Sequence, residues 1–356
     1  MAQINNMAWY HLYYIFDNDI REDKYVGLSH VAEHTLLAPT DIGLNFIAQG
    51  YTCLNHVCLY FGSKTLEDLQ EIDRKIIGGQ IITEENVLCA KSQVIEEISR
   101  LRDKTARFEN LVSFVTENRI QKSAIGDTAE VENIQAQDIL NWFVFKQKRG
   151  QIYRFLFKDA HNMIVSSPFS SNSMKKRAGK TIWNKSTCAD SVLYETLPDS
   201  ASTIQIYFQI PSLYSRVELV KKALYEFCIR RKVQDSLGIV MNITDNYFDT
   251  DERYIQMYFP WSPKFDANNL LEKLRAAINS ITATEYQLYR NEFMDYISMV
   301  MSQPEANSDI INAIKNTIIY SVPRVTLADV KCVNHDDIGV FPKEWITSRS
   351  IKAVVL

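Results

Sequence analysis

Residues 166–180, SSPFSSNSMKKRAGK, divide the chain into two stretches whose elements follow a similar order. Five serines, Pro168, Gly179 and a short basic cluster give this segment the composition of an exposed connection. Its basic run reads as a solvated linker in preference to a binding site. Ahead of it, residues 8–17 (AWYHLYYIFD) are aromatic and β-rich, as in a buried strand. From Gly27 the period changes to that of a helix, with Leu28, Val31, Ala32 and Leu36 on one side and Ser29 placed to cap it. Residues 51–62 return to strand-like text, and Thr65 with Asp68 opens a helix that Gly78-Gly79 ends. Thr83 starts another, with Val87, Ala90, Val94, Ile98 and Leu101 as its apolar stripe. Further helical text at 106–120 and strands at 151–157 and 162–166 follow. Beyond the connection come a strand at 202–210, a helix at 215–234, strands at 239–248 and 253–260, and helical text over much of 265–321. This order predicts an α+β protein of two duplicated α+β domains, each an antiparallel-rich mixed sheet with helices packed on it. The expected boundaries are 1–165, a linker at 166–182, and 183–356.

Composition narrows the function classes. At roughly 150 residues per domain, 356 residues suffice for two such units. Lys plus Arg number 39 and Asp plus Glu 43, a net charge of −4, so nothing global draws the chain to nucleic acid or anionic lipid. Cys53, Cys58, Cys89, Cys188, Cys228 and Cys332 form no C-x-x-C pair and read as reduced thiols. The first residues lack a basic stretch and a cleavage site of the secretory kind, and no run is long enough to span a membrane, which places the expected location in the cytoplasm.

The chemistry gathers at His30-Val31-Ala32-Glu33-His34, an H-x-x-E-H pattern that inverts the commoner zinc-protease helix signature. Residues four apart on a helix sit one turn above each other, so both imidazoles can reach one metal ion from a single face. Glu33 projects about 100° away from His34, where a carboxylate can act as general base without ligating the ion. The other reading is a chance coincidence of two histidines and a glutamate on a solvated helix. The apolar residues around the motif argue against free solvation. A catalytic zinc keeps three protein ligands and an open position, so a third ligand must come from elsewhere. Glu97, beside the apolar stripe of the helix after Thr83, is better placed than Glu96. Taken alone, either carboxylate reads as a solvated charge. His11, His56, His161 and His335 read as core or surface residues.

GLSHVAEHTLL and VIEEI together resemble two motifs of the pitrilysin, insulin-degrading enzyme and mitochondrial processing peptidase family, the inverzincins. The resemblance implies Zn2+ held by His30, His34 and Glu97, with Glu33 as catalytic base. TCLNHVCLYF, residues 52–61, is similar to the family's strand that hydrogen-bonds an extended substrate, and His56 matches a residue often found there. It further implies a chain that forms half of a clamshell, since single-chain members are twice as long and the short ones associate in pairs.

This chain departs from the family pattern in several places. A supporting Glu seven residues before the third ligand is replaced by Ala90, and the Asn-Ala pair ahead of the cleft strand by Gln49-Gly50. The interval from His34 to Glu97 is also shorter than usual. In the second half, KVQDSLGIV aligns with the segment that brings an Arg and a Tyr into the cleft of active members, and Lys232 and Ile239 stand in their places. Isoleucine donates no hydrogen bond to an oxyanion. The expected partner is therefore a homologous subunit that carries the Arg/Tyr pair, in a heterodimer, with a homodimer as the alternative. The expected activity is hydrolysis of small unfolded peptides in an enclosed chamber, leader or precursor peptides among them. A noncatalytic scaffold or peptide-binding subunit of the same fold is the competing expectation, and neither includes nucleic acid or a membrane as partner.

Overall fold

β1 (Tyr10–Asp17) is the central strand of a five-stranded sheet in a computed structural model. The structure describes residues 9–38, 46–117, 124–158, 162–168, 191–194, 203–209, 215–247, 253–260, 266–301, 307–320, 322, 324–332 and 352–355. The sheet also contains β2 (Phe46–Thr52), β3 (His56–Ser63), β4 (Ile152–Lys158) and β5 (Asn162–Pro168), in the order β2-β3-β1-β4-β5 with every pair antiparallel. Strand alternation sends Leu12, Tyr14 and Phe16 of β1, and Val57, Leu59 and Phe61 of β3, to one face. There they join a core with α1 (Leu28–Leu36), α2 (Leu66–Ile77), the first turns of α3 (Glu84–Val115) and α5 (Ala136–Lys148), which follows the short α4 (Thr128–Glu132). In α2 the buried residues Leu69, Ile72 and Ile76 lie on one side, and the Thr65 hydroxyl caps the helix by accepting from the Asp68 amide at 3.4 Å.

The second sheet contains β6 (Ser191–Tyr194), β7 (Thr203–Gln209), β8 (Asn242–Tyr247), β9 (Arg253–Pro260) and β10 (Lys352–Val355). Its order is β8-β9-β7-β10-β6; the β6–β10 pair is parallel and the others antiparallel. Ile204, Ile206 and Phe208 of β7 pack with apolar residues of α6 (Arg216–Leu237), α7 (Ala267–Asn279) and α8 (Ala283–Met301). α9 (Asn307–Tyr320) and α10 (Leu327–Cys332) complete the described helices. The α+β class with antiparallel-rich, partly mixed sheets is as the sequence predicts.

By proximity the chain divides into one unit of residues 1–110, 121–175 and 305–319, and a second of 111–120, 176–304 and 320–356. The expected linker at 166–182 begins inside β5, which runs to Pro168, and its remainder lies outside the described residues. β6, β10, α4 and α10 have no counterpart in the sequence reading, and three further elements differ from it. The single strand expected at 51–62 is a hairpin, with β2 at the sheet edge; Ala48, Gln49 and Tyr51 are exposed, so β2 lacks the apolar alternation that marks a half-buried strand. The helices expected from Thr83 and at 106–120 are one 32-residue helix, α3, whose polar stretch around Arg100–Arg107 breaks the apolar period without breaking the helix. α5 was not predicted, although it buries Ile139, Trp142 and Phe143. Among the described residues, no helix is long and apolar enough to cross a membrane.

Candidate active site

The H-x-x-E-H segment forms α1, and its first turn is fixed by a close backbone approach. Gly27 is the N-cap, at φ 103°, and a Cβ there would lie 2.9 Å from the Gly126 Cα, so only glycine lets the two segments meet. Ser29 is not the cap that the sequence suggests. Its buried hydroxyl accepts from Asn18 Nδ2 at 2.5 Å and donates to Asp23, while Trp142 Nε1 donates to Asn18 Oδ1 at 3.3 Å. This chain of bonds ties α1 to β1 and α5 from behind. Burial pushes the Asp23 carboxyl up to about 6 against those hydrogen bonds.

The Gly27–Gly126 contact places the Ile125 carbonyl 2.7 Å from His30 Nδ1. On the next turn, His34 Nδ1 lies 3.1 Å from Gln93 Oε1 of α3. Both partners are acceptors, so each Nδ1 carries the proton and each Nε2 is left with a lone pair. Burial lowers the His30 pKa, which keeps that imidazole neutral. Both Nε2 atoms lie 3.5 Å from Glu97 Oε2, and the three candidate ligand atoms fall within 4.8 Å of one another. Two ligands at roughly 2.1 Å from a tetrahedral zinc stand about 3.4 Å apart, which the two histidine–carboxylate separations match. The donor set and its spacing thus fit one zinc ion.

Glu33 is buried, 4% exposed, and stands between α1 and β2. Thr52 Oγ1 donates to its Oε2 at 2.6 Å. Burial pushes its carboxyl up to about 7, with the Thr52 hydroxyl and His34 opposing. Gly50 makes this position possible: a Cβ there would lie 2.7 Å from Glu33 Oε1 and 2.7 Å from Leu37 Cδ1. Glu33, His30, His34 and Glu97 line one cleft of about 620 Å3 with Ala48–Thr52, Leu101, Phe108 and Ile125.

The structure therefore brings together all four residues singled out from the sequence. Gln93, the Ile125 carbonyl, Thr52 and Gly50 were missed; only Gln93, one helical turn from Glu97 on α3, left a signal in the spacing. Ala90, where the resemblance expects a carboxylate, is 2% exposed in the apolar core, and Gln93 supports His34 in its stead. The strand beside the site is β2 and not 52–61, because β3 is enclosed between β2 and β1. In the second sheet's unit, Lys232 is 8% exposed and its Nζ lies 2.6 Å from Glu285 Oε1. Arg231 donates to Glu292 through Nε at 3.0 Å, and Ile239 packs against the core. Both cations are thus committed to carboxylates of α8.

No protein-family model matches the chain, and no curated protein matches it. Solved structures are similar in fold. A protease from Helicobacter pylori is 13% identical with a TM-score of 0.62, over 98% of this chain and 94% of that one. The first half of the periplasmic protease PqqL from Escherichia coli is 10% identical with a TM-score of 0.70, over 98% and 86% respectively; of the longer PqqL chain, 45% is covered. A peptidase M16 inactive domain from Pseudomonas fluorescens is 11% identical with a TM-score of 0.60, over 98% and 93%. Structures named as proteases and one named as a peptidase M16 inactive domain thus share this fold, and at such identities the likeness is one of fold.

Proposed function

We propose that this chain is the metal-bearing subunit of a zinc-dependent endopeptidase that hydrolyses small unfolded peptides. The observation that carries the reading is the convergence of His30 Nε2, His34 Nε2 and Glu97 Oε2 in the cleft that the buried Glu33 carboxylate also lines. When bound there, zinc supplies Lewis acidity to the scissile carbonyl and to the attacking water. His30, His34 and Glu97 hold it, and the Ile125 carbonyl and Gln93 orient the two imidazoles. Glu33 takes the proton from the water and returns it to the leaving amine, and the Thr52 hydroxyl keeps its Oε2 aimed. Among the described residues β2 is the edge strand of its sheet, so an extended peptide can add to it through the backbone beside Glu33. This mode selects for unfolded chains and accommodates leader or precursor peptides.

Lys232 and Arg231 are paired with Glu285 and Glu292, and Ile239 has no donor, so this chain does not offer an Arg/Tyr pair from that segment. We assign those donors to a homologous partner subunit in a heterodimer. The same observation favours a second reading, a noncatalytic peptide-binding subunit. Metal analysis and peptide hydrolysis of the wild type and Glu33→Gln, each with and without the neighbouring gene's product, separate the two. The peptidase reading expects one zinc per chain in both forms and loss of turnover in the variant. Zinc without turnover under any pairing would leave the noncatalytic subunit.

A further inference from the structure

The two faces of β2 differ in charge. Thr52 and Gly50 meet Glu33 on the α1 side, whereas Tyr51, between them, turns to the opposite face. Its ring stands edge-on to His56 at 5.6 Å, and its hydroxyl lies 3.3 Å from Nζ of Lys315 on α9, within the same unit. Tyr51 is 44% exposed and lines the cleft that holds Glu33 and the His-His-Glu triangle. Lys315 is half-buried, and no carboxylate pairs with it among the described residues. Of the titratable groups around it, His56, Cys53 and Cys58 carry no charge near neutrality, and Asp17, the register partner of His56, is the carboxylate of the same face. Burial, then Lys315 itself, pushes His56 down to about 3, and burial pushes the Cys53 and Cys58 thiols up to about 11 and about 12. Among the described residues, Lys315 is thus the ammonium that stands at Tyr51 with no carboxylate bonded to it.

We infer that Lys315, positioned by the Tyr51 hydroxyl, is a specificity determinant that recognises a carboxylate of the peptide lying along β2, at the residue beside Tyr51. The inference rests on the reading that β2 takes an extended peptide. In such a strand, side chains alternate between faces, and a neighbour directly across from Tyr51 stands roughly 5 Å away on the same face. An Asp or Glu side chain from that place reaches the ammonium, whereas the residues on either side of it turn toward Glu33. The selected carboxylate thus sits next to the bond being cut. A side-chain carboxylate and a free peptide C-terminus offer the same group, and the test separates them.

The test measures binding, by fluorescence anisotropy, of labelled neutral decapeptides to the zinc-loaded chain carrying Glu33→Gln. A single Glu or Gln is moved through the positions, with the C-terminus free or amidated. The expected result is one position at which Glu binds about tenfold more tightly than Gln, or a like gain from the free C-terminus. Lys315→Gln abolishes the gain and Lys315→Arg retains it. A gain that survives Lys315→Gln, that is equal at every position, or that is absent altogether overturns the proposal. Hydrolysis by the Glu33-intact chain, alone and with the neighbouring gene's product, is measured in parallel. Lys315-dependent binding without turnover removes the peptidase reading and keeps this one; turnover without Lys315-dependent binding does the reverse.

Discussion

Replacing Gly50 by alanine should disable the site while leaving the fold and the metal in place. The added Cβ would lie 2.7 Å from Glu33 Oε1 and 3.0 Å from its Cγ, so the carboxylate must withdraw by about 0.7 Å to reach ordinary contact at 3.4 Å. The groups met are far ends of the Glu33 and Leu37 side chains, which can swing. The overpacking cost should therefore stay near 1 kcal/mol, and alanine recovers a part of it because glycine in a strand costs roughly 0.5–1 kcal/mol. Catalysis is less tolerant: a displacement near 1 Å can cost on the order of 10²-fold. We expect Gly50→Ala to lower kcat/KM by ~10- to 100-fold, equivalent to about 1.4–2.7 kcal/mol of transition-state stabilisation, with zinc content unchanged. The assay is cleavage of a quenched fluorescent peptide by the active assembly, with metal content and thermal melting recorded on the same samples. Glu33→Asp removes the methylene nearest the new Cβ, so Gly50→Ala should cost far less in that background than in the wild type. Full kcat/KM in the single variant, or additive losses in the double one, would refute the claim that Gly50 exists to seat Glu33.

Other perturbations test the surrounding supports. Gln93→Ala removes the acceptor that orients His34 from an exposed position on α3, and should weaken zinc binding ~10- to 100-fold in a competition titration while the melting temperature stays unchanged. An unaltered affinity would show that His34 needs no such anchor. Thr52→Val removes a hydrogen bond that holds the Glu33 carboxyl down, so the acid limb of the pH–kcat/KM profile should move to higher pH, because the base is lost on protonation; a limb that stays or moves down contradicts this role. Asp23, raised to about 6 from an ordinary 3.8, binds its proton more tightly in the folded chain, so its destabilising charge acts above pH 6 and is relieved as the pH falls toward 4. Urea unfolding of wild type and Asp23→Asn at pH 7.5 and 4.5 should show the difference between them shift toward the wild type by about 2 kcal/mol at the lower pH, and a constant difference would remove the burial argument.

What could be read in the sequence follows from the range over which each signal acts. The i, i+4 spacing of His30 and His34 is a helical repeat, so two ligands of the site could be read from five residues. Glu97 lies on another helix, and its convergence on the imidazoles depends on how α3 packs against α1, which no local pattern encodes. Residues that act through backbone leave no chemical signature at all. The Ile125 carbonyl serves His30 because Gly27 and Gly126 touch, and Gly50 matters through a side chain that it lacks. Burial shaped the elements in the same way. β3 was legible as a nearly continuous run of buried residues, whereas β2 is exposed along its middle and offers no apolar run. α5 went unseen although Ile139, Trp142 and Phe143 are buried.

The two sheets have matching plans, β2-β3-β1-β4-β5 and β8-β9-β7-β10-β6, yet among the described residues the His-His-Glu cluster lies beside the first. In each, one helix connects the central strand to the edge strand: α1 after β1, and α6 after β7. α1 spans nine residues and buries Ser29, His30 and Glu33 among apolar neighbours, each tied by a hydrogen bond or facing Glu97. α6 runs 22 residues and buries Lys222 and Lys232, whose ammonium groups pair with Glu226 and with Glu285 of α8. Lys232 is buried while the Glu285 side chain is 34% exposed, so Lys232 cannot leave Glu285 to serve a substrate without losing the partner of a buried ammonium. On the peptidase reading, a cation for the substrate therefore comes from neither Lys232 nor Arg231 of α6.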